Sequence, residues 1–442
     1  MQKNKEKADY QQENGYMNRE ERRAKRRKDT QNALITIIIF IVILAAVIVG
    51  AVVAVNKFIK PNLNRPEKDN VTTEEPAESD DQIADTSEEQ VDPLLEQANQ
   101  FVAGMTLEQK AAQLFVITPD ALTGVQGATK AGDSTKAAYT QYPVGGLIYM
   151  AANLTGTDQT TEMLSNMKNY SQEITGLPIF LGVDEEGGTV ARIASNSAFG
   201  VTDVGNMSDV GATGDAQNAF NAGSTIGAYL STLGFNVDFA PVADVLSNPD
   251  NTIMKDRSFG SDSQLVADMV CSEMQGLSEY QVLSVVKHFP GQGATAGDSH
   301  DGAVSTDKTL DELMSNELVP FQQAINNGAS IIMVGHISTP SITGDDTPAS
   351  VSSAMITDVL RNQMGFHGVV ITDAMNMSAI TDKYSSADAA VAAINAGADM
   401  ILMPEDFNAA YQGIIDAVNN GTITEERLNE SVARIIKVKL SM

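Results

Sequence analysis

The stretch Val282-Leu283-Ser284-Val285-Val286-Lys287-His288-Phe289-Pro290-Gly291-Gln292-Gly293 is the key to the fold. Its first five residues form a short apolar run, which predicts a buried strand. Lys287 and His288 stand where that strand should end. The loop that follows is left free to move by Gly291, Gly293 and Gly297, and it returns Asp298 and His300 two residues apart. Two of the four histidines thus fall within one short segment, and a third, His336, ends another apolar run. Such a concentration of titratable groups at strand ends points to a functional site.

Outward from this stretch, short apolar runs alternate with longer helical patterns, as in βα units around a parallel sheet. Eight strands are predicted, over residues 113–118, 145–150, 179–184, 237–242, 282–288, 330–336, 369–373 and 399–403. Eight strands, nearly all separated by room for a helix, favour an α/β fold of the TIM-like (β/α)₈ barrel type over an open doubly wound sheet. No glycine-rich dinucleotide fingerprint or phosphate loop follows the first strand. Several strands end in a polar side chain: Asp184, Lys287 with His288, His336 and Asp373. A barrel gathers those carboxyl-terminal ends on one face, so residues distant in sequence are expected around one pocket. The segment from Glu425 to Leu440 places Leu428, Val432, Ile435, Ile436 and Leu440 at helical spacing, as suits a last barrel helix.

The 442 residues exceed the roughly 250 that a barrel needs. A hydrophobic content of 43% supports a sizeable core, and a formal net charge of -28 argues against nucleic-acid binding. The single cysteine, Cys271, excludes an intrachain disulfide. Residues 1–32 read as a basic cytoplasmic tail, carrying Arg19, Arg22, Arg23, Lys25, Arg26, Arg27 and Lys28. Residues 33–55 are apolar but for Thr36 and Gly50, long enough at about 1.5 Å per residue to cross a core of about 30 Å. No tidy small-x-small cleavage site follows, so an uncleaved transmembrane helix is expected, with the remainder outside the cytoplasm. Residues 56–91 are rich in Glu, Asp, Thr, Ser and Pro and read as a disordered acidic linker. The folded domain, residues 92–442, is expected to be a single catalytic barrel with no second globular domain after it.

Three chemistries suit carboxylates, histidines and a lysine without a reactive thiol. Metal-assisted hydrolysis would use His288, His300, His336 and Asp373, but their spacing matches no compact ligand pattern and Lys287 would repel a cation. Schiff-base chemistry would need Lys287 buried with a lowered pKa. Glycoside hydrolysis needs a carboxylate nucleophile and a separate proton donor. Asp373, on a rigid strand end, suits the first role, and His300, beside Asp298 that would fix its tautomer, suits the second.

The chain resembles family 3 glycoside hydrolases, in particular their β-N-acetylglucosaminidase (β-hexosaminidase) branch, over most of residues 95–440. The likeness rests on Asp184-Glu185-Glu186-Gly187-Gly188-Thr189-Val190-Ala191-Arg192, Asp238-Phe239-Ala240-Pro241-Val242-Ala243-Asp244-Val245, Arg257-Ser258-Phe259-Gly260, Lys287-His288-Phe289-Pro290-Gly291, Asp298-Ser299-His300 and Thr372-Asp373-Ala374-Met375. The resemblance implies Asp373 as covalent nucleophile and Asp298 with His300 as acid/base dyad. It implies sugar binding by Asp184, Arg192, Arg257, Lys287 and His288, with the Arg257 fork against the N-acetyl side. Glucosidase members draw an acid/base Glu from a second domain instead. Where the family often has Arg, this chain has Thr189, which is expected to remove a cation from the pocket wall. Asp244 and Met375 are expected to be structural or pocket-lining, and His367 a turn residue.

These readings converge on a membrane-anchored, retaining exo-β-N-acetylglucosaminidase acting outside the cytoplasm on peptidoglycan fragments or related β-GlcNAc-terminated glycans. Neither metal nor cofactor is called for, and a monomer is expected. A family 3 phosphorylase, a glycosidase of other sugar preference, and a decayed, non-catalytic glycan-binding protein are the alternatives.

Overall fold

The computed structural model describes residues 92–297 and 302–442. The predicted tail, transmembrane helix and linker, and the pair Asp298 and His300, lie outside the described residues. Among the described residues no helix is long and apolar enough to cross a membrane.

The fold opens with a helix, Pro93–Gly104, whose start is written in the sequence. Asp92 accepts the amides of Leu94 at 3.0 Å and Leu95 at 3.3 Å, and Pro93 supplies the first helical residue. A second helix, Leu107–Gln113, is closed by a reciprocal capping box between Thr106 and Gln109. It takes Gln113, which the apolar pattern had placed in a strand.

Eight parallel strands then form a closed barrel in sequence order: β1 Phe115–Ile117, β2 Gly146–Ile148, β3 Phe180–Val183, β4 Val237–Asp238, β5 Leu283–Phe289, β6 Ile331–Val334, β7 Val369–Ala374 and β8 Met400–Leu402. Closure comes from β1, which pairs Phe115 with Ile401 of β8 and Val116 with Gly146 of β2. Each predicted run overlaps one strand; six strands are shorter than their runs, whereas β5 and β7 each extend one residue past theirs and keep Lys287, His288 and Asp373 within the strand. Helices between the strands cover the outside, among them Thr157–Thr175, Ala216–Leu233 and Ser263–Ser278, while Ala354–Gln363 is wound as a π-helix. One close approach requires glycine: a Cβ on Gly182 of β3 would lie 2.6 Å from the Phe239 ring.

The last helix, Glu425–Leu440, is capped by Thr424 and buries Leu428, Val432, Ile435 and Ile436, as its apolar spacing predicts. Lys437 on this helix reaches Asp92 at 2.6 Å, joining the two ends of the barrel domain. The amino-terminal rim of the barrel is held by Asp399, just ahead of β8, which is fully buried. It receives Arg361 at 2.6 Å, Arg434 at 2.9 Å and Arg427 at 3.5 Å. His367 lies exposed ahead of β7 at this same rim, as a turn residue should.

Candidate active site

At the carboxyl-terminal mouth of the barrel is a cavity of about 310 Å³. Asp184, Arg192, Arg257, Lys287, His288 and Asp373 all line it, so six residues singled out by sequence come together. Strand irregularities aim several of them. The pairing of β5 with β6 slips between Val286 and Phe289, and both Lys287 and His288 reach the cavity where a regular strand would send them to opposite faces. The pairing of β7 with β8 slips between Ile371 and Ala374, and both Asp373 and Ala374 line the cavity. Met403, just past β8 and also in the lining, has a left-handed φ of 44°, strain of the kind that collects at functional sites.

Opposite charges are paired along one wall. The Lys287 ammonium lies 2.6 Å from Glu186 and 3.0 Å from Asp184. Burial alone would lower its pKa, but these carboxylates outweigh burial and raise it. Lys287 is therefore held as a cation, the opposite of what the Schiff-base alternative needs. Glu186 also takes the Arg257 fork, with Nε to Oε2 and Nη2 to Oε1 both 2.8 Å. Burial would raise the Glu186 pKa, yet Lys287 and Arg257 drive it well below the carboxylate range. The Arg257 fork is thus engaged by a carboxylate of its own chain, and the side chain lines the cavity. Arg192 stands 3.9 Å from Asp184, and its buried Nε has no hydrogen-bond partner among the described residues.

Asp373 is half-buried and accepts the Ala374 amide at 2.8 Å. Burial would raise its pKa; the His288 and His336 imidazoles, the Ala374 amide and the Lys287 ammonium together lower it. It is an ionised carboxylate with its outer face toward open space. His336 does not line the cavity and bonds the backbone of the next residue, Ala374. Its Nε2 lies 2.9 Å from the Ala374 carbonyl, which can only accept, so Nε2 carries the proton there. Nδ1 lies 2.7 Å from the Ser350 hydroxyl. Among the described residues no three His, Cys, Asp or Glu side chains converge to hold a metal ion.

Sequence reading missed the role of Glu186 and left Asp244 as structural or pocket-lining; Asp244 is fully buried and does not line the cavity. Glu186 had a signal: in Asp184-Glu185-Glu186 the first and third side chains share a face. Glu185 turns away, accepting the amides of Ile193 at 2.7 Å and Ala194 at 2.8 Å and the Tyr229 hydroxyl at 2.8 Å. Thr189 is also corrected. It sits exposed at the turn between Glu185–Gly187 and Val190–Ala191 and does not line the cavity, whereas Val190 and Arg192 do.

Residues 106–438 match the family model described as the glycosyl hydrolase family 3 N terminal domain. The chain belongs to glycosyl hydrolase family 3. Among its family 3 relatives, it is 34% identical over 326 residues to beta-hexosaminidase A of Pseudoalteromonas piscicida, covering 68% of this chain and 54% of that protein. It is 34% identical over 341 residues to beta-hexosaminidase LpqI of Mycobacterium tuberculosis, covering 75% of this chain and 82% of that one. The solved family 3 beta-N-acetylglucosaminidase of Paenibacillus sp. str. FPU-7 superposes with a TM-score of 0.71 at 36% identity, covering 76% of this chain and 62% of that one. This family 3 chain thus spans about half the length of the first relative and most of the second.

Proposed function

We propose that this family 3 chain is a retaining exo-β-N-acetylglucosaminidase that releases terminal β-linked N-acetylhexosamine from peptidoglycan fragments or related glycans. One observation carries the reading. An ionised Asp373 faces a pocket whose other wall offers carboxylates and cations in alternation, the donors and acceptors that a sugar's hydroxyls require. The packed barrel core closes the inner end of such a pocket, which suits a chain end rather than the middle of a glycan. The names of the similar proteins support the sugar preference.

Asp373 attacks the anomeric carbon as the glycosidic C–O bond breaks, and His300, steered by Asp298, gives its proton to the departing oxygen. His300 then takes a proton from water as the water oxygen displaces Asp373. Both configurational inversions together retain the anomer. Phosphorolysis is the weaker reading, because Arg192, Arg257 and Lys287 each already face a carboxylate, so an anionic acceptor meets no unpaired cation among them. Residues 33–55 would anchor the chain, with the barrel outside the cytoplasm.

The test is release from a chromogenic N-acetyl-β-glucosaminide, run against glucoside and xyloside analogues, with and without phosphate. Release of free sugar independent of phosphate is expected. Sugar phosphate as product would overturn the hydrolytic reading, and no release from any substrate would favour a glycan-binding protein. Membrane fractionation of the full chain beside one starting at residue 56 tests the anchor.

A further inference from the structure

Asp244 lies in the loop beyond β4, is 0% exposed and does not line the cavity, yet several parts of the site meet on it. Its Oδ2 is 2.7 Å from Nδ1 of His288. Its Oδ1 accepts the Gln292 amide at 2.6 Å and the His288 amide at 3.4 Å. Its carbonyl accepts the hydroxyl of Ser258, the residue after Arg257, at 2.7 Å.

These contacts decide the tautomer of His288. An ionised carboxylate only accepts, so the ring nitrogen facing it must carry the hydrogen. The other nitrogen, Nε2, stands 3.4 Å from Nη2 of Arg257, a group that only donates. Donors and acceptors on both sides of the ring therefore agree: hydrogen on Nδ1, lone pair on Nε2. We propose that Asp244 is a positioning residue that makes His288 a hydrogen-bond acceptor within the cavity, so that a hydroxyl bound there displaces the long Arg257 contact, whose Nη2 keeps its 2.8 Å bond to Glu186, and must donate its own proton to Nε2.

Lys287, next to His288, can only donate. One sugar hydroxyl can satisfy both, giving its proton to His288 and accepting from Lys287. A fluorine at the same carbon keeps the second contact and sets lone pair against lone pair in the first. A buried acceptor left without its proton is what gives a polar pocket its discrimination. This specificity rests on the sugar-site reading proposed above; the tautomer does not.

Asp244→Asn separates the two. The Gln292 amide still needs an acceptor, so the remaining oxygen stays on it and the new NH₂ faces the imidazole. The ring must then present a lone pair at Nδ1 and carry its hydrogen on Nε2, inverting the polarity that the cavity meets. The experiment is ¹⁵N NMR of histidine-labelled free enzyme above the ordinary histidine titration range, with His288 assigned by loss of its signals in His288→Gln. The expected wild-type spectrum shows protonated Nδ1 and unprotonated Nε2, and Asp244→Asn exchanges them. In parallel, kcat/KM is measured for the parent N-acetylglucosaminide and its 3-, 4- and 6-deoxyfluoro analogues. Asp244→Asn is expected to lower it for the parent sugar on the order of 10–100-fold. It should also shrink the penalty of one fluorine while leaving the others. A hydrogen on Nε2 of wild-type His288 overturns the proposal even if the variant does not fold. An unchanged tautomer in a folded Asp244→Asn overturns it as well. The expected tautomers with no turnover of any sugar would instead sink the proposed function and leave the role of Asp244 standing.

Discussion

Both ends of this barrel carry buried or half-buried carboxylates, and they are treated in opposite ways. At the amino-terminal rim Asp399 is saturated by its own chain: three arginines, the Ser431 hydroxyl at 2.8 Å and the Val370 amide at 3.0 Å surround it. At the carboxyl-terminal mouth Asp373 has the Ala374 amide and, among the described residues, no ion pair. Both are held below the usual Asp range against the opposing effect of burial, Asp399 by arginines in contact and Asp373 by imidazoles, an amide and a lysine around it. A carboxylate whose partners are all internal can only stabilise the fold. One kept ionised while a face stays open is available to a ligand. Glu273 is a third case, 0% exposed, with neither oxygen hydrogen-bonded among the described residues. Burial pushes its carboxyl up to about 8, so it sits in the fold largely as the neutral acid.

The contrast can be broken most severely at the mouth. Asp373→Asn is expected to reduce turnover of a chromogenic N-acetylglucosaminide by roughly 10⁴-fold or more, with a melting temperature close to wild type. A large stability change with retained activity would erase the distinction. Asp298→Ala or His300→Ala should each reduce the same rate by about 10²–10⁴-fold.

At the opposite rim the effect should be on stability alone. Asp399→Ala leaves three arginines converging on nothing and is expected to destabilise by about 3–5 kcal/mol in denaturant unfolding, with kcat of the folded fraction unchanged. The depressed pKa of Asp399 gives a sign: its contribution is present above the ordinary Asp range near 4 and is lost as pH falls through the lower folded-state value. Wild type should therefore lose stability on acidification more steeply than Asp399→Asn.

Glu273 sharpens the comparison with the reverse slope. A raised folded-state pKa means stability fully present below about 4.3 and lost as pH rises toward about 8. Glu273→Gln should thus gain on the order of a few kcal/mol over wild type at alkaline pH and little in acid, read as melting temperature against pH. A parallel pair of curves would show that Glu273 is ionised throughout. The smallest effect is expected from Thr189→Arg. An exposed turn residue away from the cavity lining should change kcat/KM by less than about twofold.

Much of this was legible in the sequence, for identifiable reasons. Apolar runs of strand length marked all eight strands, because burial on both faces demands them. The barrel rule then converted polar strand ends into a single site, and Asp184, Lys287, His288 and Asp373 are gathered as that rule requires. The slips in β5 and β7 were not legible, since nothing in Val285-Val286-Lys287-His288 says that two successive side chains will face the same way. Nor did Glu186 or Asp244 declare a partner, because each meets a residue far along the chain. Thr189 misled through its neighbours: a turn lifts it away from the cavity that Val190 and Arg192 line.

The order of apolar runs and strand-end polar groups by itself determined that this chain closes an eight-stranded barrel with its reactive side chains at one mouth. Local pattern suffices for that, because burial and periodicity are properties of short segments. Which carboxylate is neutralised, which is kept open and which way an imidazole carries its hydrogen were decided only by the tertiary structure. Those outcomes depend on charges and donors brought within about 3 Å from distant parts of the chain, where desolvation makes each partner count.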